Sequence, residues 1–202
     1  MATSATPYGL KPVKRADGTP YAGATTQYLI DPAGEATNLF YGSVVAIGAD
    51  GYIAMAGGTG ADITTNNLGG SGVGAIGVFV GCEYVNAQGQ TIFAQYYPAA
   101  TANGGPIKAY VVDDPNVLFQ AQADAAMDQS DIGANVYFAA AQDTDSGDTA
   151  TGNSTAAVVG ATVTTAAAFR VVAAVSDLTE SNPDILVKFN PGGHQMTNNV
   201  GI

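Results

Sequence analysis

The chain is poor in the side chains that usually perform chemistry: 202 residues hold six Lys and Arg, one His, one Cys and no Trp. The single cysteine, Cys82, excludes a disulfide within one chain. The single histidine, His194, excludes a metal site built on two histidines and leaves one imidazole at most for an activated Ser or Cys nucleophile. Its setting, the Gly-rich Pro191–Gly192–Gly193–His194, is a poor place for catalysis, which needs held geometry, so an inter-subunit or local turn contact is expected instead. Basic residues are too sparse for a surface that tracks phosphates. Lys11, Lys14 and Arg15 form the one cluster, while Lys108, Arg170 and Lys188 stand apart, so no nucleic-acid partner is expected. A long apolar run is missing too. The most apolar stretch, 156–175, contains Arg170 and several threonines, which argues for strands and against a membrane partner. The first residues lack a basic region followed by an apolar run, so the expected setting is the inside of a cell or a particle assembled there.

What the chain does contain is glycine, 26 residues, and a small, acidic set of charges: 11% charged, net −11. A typical soluble domain has about 25% charged residues. The surface must therefore be mostly Thr, Ser, Asn, Gln, Gly, Ala and Tyr. Such a surface can be covered by another protein while few charges lose their water. Val, Ile, Leu and Phe make only about a fifth of the chain, close to the level where order fails, but ten Tyr and seven Phe add large apolar area.

Along the chain, residues 1–28 read as an extended N-terminal arm. Pro7, Pro12 and Pro20 interrupt helix, and Gly9, Gly18 and Gly23 interrupt strand. Tyr8, Leu10, Val13 and Tyr21 are spaced apolar anchors that could dock on a neighbour, with Lys11, Lys14 and Arg15 between them; a frayed end is the competing reading. Residues 29–190 read as a β-rich core domain. Strand-like runs at 39–47 and 52–55 flank Asp50–Gly51, a hairpin signal. Further strands are expected at 73–85, 91–97, 107–112, 117–124, 132–140, 156–163, 167–175 and 184–190, with a short helix possible at 123–129. Three glycines inside 73–85 suggest a tightly curved strand, as at a barrel corner. About ten short runs without helical period mean an all-β fold: a single compact barrel or sandwich, jelly-roll-like in one variant, with arms at both ends and a tail at 191–202.

Candidate sites are few. Asp143, Asp145 and Asp148 alternate as hard-cation ligands do, but Ser154 stands where a calcium loop of the helix–loop–helix type needs a bidentate Glu. A solvated acidic loop is the ordinary reading, and no metal or other cofactor is expected. The glycine-rich 69–74 segment lacks the Lys-Ser/Thr of a phosphate loop. Tyr96–Tyr97 and Tyr137–Phe138 could stack on a flat ligand, but in a strand one of each pair points inward. Cys82 reads as a buried, inert thiol.

Certain phrases taken together resemble a family of small structural proteins of tailed bacteriophages. They are Thr6–Pro7–Tyr8–Gly9–Leu10–Lys11–Pro12–Val13, Ala36–Thr37–Asn38–Leu39–Phe40–Tyr41–Gly42, Gly77–Val78–Phe79–Val80–Gly81–Cys82–Glu83–Tyr84, Ala109–Tyr110–Val111–Val112–Asp113–Asp114–Pro115 and Asp184–Ile185–Leu186–Val187–Lys188–Phe189–Asn190. These are the capsid decoration, or cement, proteins encoded near the major capsid protein. The resemblance implies a mostly β fold, no catalytic residues, a homotrimer, and the outer surface of the virion capsid as the location, with the major capsid protein as partner. An alternative is a carbohydrate- or receptor-binding β module that uses Tyr96 or Tyr97 as its platform.

Overall fold

The computed structural model describes residues 4–56, 74–99, 105–139, 147–164 and 167–197. In chain order the strands are β1 (Lys11–Arg15), β2 (Thr26–Ile30), β3 (Val44–Ile47), β4 (Ile53–Met55), β5 (Gly77–Val85), β6 (Thr91–Ala94), β7 (Ile107–Val112), β8 (Val117–Gln122), β9 (Asn135–Val136), β10 (Gly147–Asp148), β11 (Asn153–Ser154), β12 (Phe169–Ala174) and β13 (Asp184–Phe189). The fold is all-β and sandwich-like; among the described residues its helical content is two short 3-10 turns, Gln129–Asp131 and Pro191–Gly193.

One layer closes on itself. β3 pairs with β4, β4 with β2 through Ile30 and Ile53, β2 with β7, β7 with β5, and β5 returns to β3. Five strands thus make a small barrel, and β6 extends from the far half of β5. The other layer is an antiparallel sheet in the order β1-β8-β13-β12-β9. Alternation along the strands fills two cores. In β3, Val45 points into the barrel while Val44 and Ala46 point to the space between the layers. The barrel interior holds Ile30, Val45, Ile53, Phe79, Ile107 and Val111. Between the layers, Val44, Val78 and Val112 of the barrel wall meet Phe119, Phe169, Val187 and Phe189 of the flat sheet.

The long strand β5 serves both cores, and its glycines explain how. Before the bulge, Val78 faces the flat sheet and Phe79 faces the barrel. The register shifts between Phe79 and Gly81, whose φ is 148°. After that extra residue the parity is reversed, so Cys82 and Tyr84 are the inward side chains. Without the bulge Cys82 would point out of the barrel. Gly77 has a different reason: a Cβ there would lie 2.2 Å from the Val112 carbonyl oxygen. Gly81 thus marks a bulge and Gly77 a close backbone approach.

Several expectations need correction. The N-terminal segment is not an arm held away from the body. Leu10 is fully buried, β1 is an edge strand on β8, and β2 already belongs to the barrel. Pro12 is tolerated because β1 is the edge strand of its sheet and shifts register between Pro12 and Lys14, two settings in which a strand accepts proline. The described part of the C-terminal tail, 191–197, is docked as well. The Gln195 N–H donates to the Ala75 carbonyl, and the Gln195 amide exchanges two hydrogen bonds with the Ile47 backbone. No helix forms at 123–129: the Ala123, Asp124 and Met127 N–H groups donate to Pro183, Val158 and Leu178 carbonyls, so tertiary pairing overrides local propensity. The strand expected at 132–140 shrinks to β9, and 156–163 forms only isolated bridges at Val158 and Val163.

Candidate functional site

Two Tyr-Gly pairs, far apart in sequence, cross at the junction of the layers. Gly9 and Gly42 both have positive φ, 71° and 90°. A Cβ on Gly9 would lie 2.5 Å from the Gly42 carbonyl oxygen, and one on Gly42 would lie 2.7 Å from the Tyr8 carbonyl oxygen. Only glycine permits this approach. The Leu10 N–H donates to the Gly42 carbonyl at 2.9 Å and the Gly9 N–H to the Ala156 carbonyl at 3.1 Å. The crossing fixes the two preceding tyrosines, Tyr8 and Tyr41, relative to each other.

A cleft of about 450 Å³ opens there, lined by Tyr8, Lys11, Tyr41, Gln95, Gln120 and Asn153. Asp184 braces one wall, accepting from the Tyr8 hydroxyl at 2.8 Å and from the Gln120 amide at 3.2 Å. Burial, and then the Asp184 carboxylate, holds the Tyr8 hydroxyl well above the usual phenol range, so it remains a donor. On the other wall the Gln95 amide donates to Asn153 Oδ1 at 2.6 Å. The short β10–β11 hairpin seats Asn153 by backbone bonds to both sides of Tyr41: the Tyr41 N–H donates to Gly152 and the Ser154 N–H donates to Tyr41.

The outer wall of the barrel presents a second surface. Across β6, β5, β7 and β2 one row runs Phe93, Glu83, Lys108, Leu29. Lys108 Nζ is 3.5 Å from Glu83 Oε2, and the Tyr110 hydroxyl donates to the same oxygen at 3.1 Å. The charges of this row are paired with each other, and its two ends are apolar and exposed: Phe93 by 71% and Leu29 by 47%.

The expected contact residues are scattered over different environments. Leu10 is core, and the Tyr8 hydroxyl is tied to Asp184, so neither is a free anchor. Val13 is exposed on the outer edge of β1. Tyr21 bonds the Ala24 carbonyl and leans on the inter-layer core. The basic cluster is not a shared patch: Arg15 pairs with Asp114 at 2.7 Å and with Asp17 at 3.5 Å, Lys11 borders the cleft, and Lys14 is half-buried. His194 is buried, its ring 5.3 Å from that of Phe189, which removes it from any inter-subunit contact. Its Nδ1 accepts from the Met196 N–H, and burial pushes its pKa below the ordinary value against the pull of Asp113 and Asp114.

Among the weaker candidates, Asp143 and Asp145 lie outside the described residues. Asp148 caps its own turn by accepting from the Ala150 N–H, and no group of three metal-ligating side chains occurs among the described residues. The 69–73 part of the glycine-rich segment also lies outside them. Tyr97 is fully buried, and Tyr96 is half-buried with one face of its ring stacked on Phe40 at 5.5 Å. Cys82 is buried, and burial pushes its thiol up to about 12, which leaves it without thiolate at neutral pH.

Sequence reasoning missed Tyr41, Gln95, Gln120 and Asn153. The repeated Tyr-Gly pair was the one signal that could have pointed to them, because a glycine after an aromatic marks a backbone that others approach closely.

No family model, no curated protein and no solved structure matches this chain.

Proposed function

We propose that this protein is a non-enzymatic virion component: a decoration, or cement, protein that binds the outer surface of a capsid lattice of major capsid protein, acts as a trimer, and stabilises the head. The observation that carries the reading is the row Phe93–Glu83–Lys108–Leu29 on the barrel's outer wall. A partner that covers it strands no charge, because Glu83 and Lys108 neutralise each other, and gains the burial of two exposed apolar side chains. The low charge of the chain as a whole and the phrase-level resemblance to phage decoration proteins support the same reading. Buried apolar area contributes about 25 cal/mol per Å². A modest contact repeated at each lattice position therefore stiffens a shell.

Co-sedimentation with capsids that lack this protein tests the reading. Saturable binding is expected, and Phe93→Glu should lower occupancy at least about tenfold with the melting temperature unchanged. A folded protein that stays in the supernatant with such capsids overturns it. Molar mass in solution, by light scattering, checks the trimer.

A further inference from the structure

We infer that the cleft between the layers is a binding site for a short neutral saccharide, a role separate from capsid docking. Its lining combines two phenol rings, three carboxamides and one ammonium: Tyr8, Tyr41, Gln95, Gln120, Asn153 and Lys11. A carboxamide presents a donor and an acceptor side by side, which matches adjacent hydroxyls on a sugar ring. Aromatic rings cover the apolar C–H faces that such rings also carry. The cleft's size, about 450 Å³, falls within the range of roughly 300–1,000 Å³ typical of small-molecule sites.

Other ligand classes fit less well. A phosphate-bearing or acidic ligand would meet a single cation, Lys11, on a chain of net charge −11. A purely apolar ligand would bury, without a partner, the polar groups of Gln95, Gln120 and Asn153 that their existing hydrogen bonds leave over. A neutral polyol satisfies them.

The site is also built in advance. Gly9 and Gly42 lock the backbone on which Tyr8 and Tyr41 sit. Asp184 lies behind the lining and orients Tyr8 and Gln120 together. The Gln95–Asn153 bond uses one polar group of each amide, leaving the Gln95 carbonyl oxygen and the Asn153 amide nitrogen without a partner among the described residues. A pre-organised lining loses less entropy when it binds.

The test screens the full chain against an array of neutral and acidic glycans. The neutral glycans that bind are then titrated into the isotopically labelled protein and followed by amide NMR. The expected result is a neutral glycan with a dissociation constant of about millimolar or tighter, with shifts concentrated at Tyr8, Tyr41, Gln95 and Asn153. Gln95→Ala removes one exposed amide and should weaken binding about tenfold; Tyr41→Leu should do the same by removing a ring and hydroxyl. If Tyr41→Leu fails to fold, Gln95→Ala alone decides. An array on which no neutral glycan binds, binding confined to acidic glycans, shifts that map elsewhere, or unchanged affinity in Gln95→Ala overturns the assignment. None of these outcomes depends on capsid binding, so the two proposals fail separately.

Discussion

The two cores of this protein are built differently. The barrel interior is mostly aliphatic, enclosed by five strands from one contiguous stretch, 26–112. The inter-layer core is mostly aliphatic too, but it is centred on a chain of four packed rings: Phe138 meets Phe169 at 5.2 Å, Phe169 meets Phe189 at 5.1 Å, and Phe119 meets Phe189 at 5.7 Å. Its flat sheet is gathered from β1 near the N-terminus and from strands spread over 117–189. The barrel is thus held by closure of its backbone ladder, and the flat sheet by large side chains that pack it onto the barrel wall. It follows that the flat sheet depends most on individual side chains.

The largest expected effect is therefore in the ring cluster of the inter-layer core. Phe169→Ala should lower unfolding free energy by about 3–5 kcal/mol in denaturant melts, because it vacates the centre of a ring cluster. In the barrel, Cys82→Ala removes one atom from a wall held by backbone pairs and should cost clearly less. Equal losses would break the contrast.

The bulged strand that joins the cores gives an intermediate effect. Gly77→Ala drives a methyl into the Val112 carbonyl and should destabilise by about 1–3 kcal/mol. Amide exchange should rise first at the β5 pairings with β3 and β7. Unchanged protection there would show that β5 can shift without loosening the seam.

The smallest effect is a pH dependence seated in the inter-layer core. His194 is buried with its pKa lowered, so the folded state resists protonation while the unfolded chain takes up a proton near its ordinary value of 6.5. The unfolded state then binds more protons, and stability falls as pH drops from about 6.5 toward the depressed native value. His194→Gln should flatten that part of the stability curve in melts across pH 5 to pH 8. A curve unchanged by the substitution would remove His194 as the source of the dependence.

The legible parts of the fold were those with local causes. The run 107–112 and the Asp50–Gly51 hairpin follow from β-branched residues and turn chemistry, and the bulge in β5 falls at one of its glycines. The 1–28 segment was misread because prolines and glycines mask the period of an edge strand, and an edge strand needs only one partner. The cleft was mostly invisible, since Gln95, Gln120 and Asn153 are unremarkable polar residues until three elements bring them together.

Sequence by itself determined that this is a β protein with a small, acidic set of charges, an unpaired thiol and scarce catalytic side chains, because composition and short-range pattern act through local backbone preference. Tertiary structure alone decided that the segments 4–28 and 191–197 pack into the body, that β5 reverses its faces at Gly81, and that Tyr8 and Tyr41 share one cleft. The physical reason is that hydrogen-bond closure and glycine-to-glycine contact link residues distant in the chain, and no local preference encodes which distant backbone will arrive.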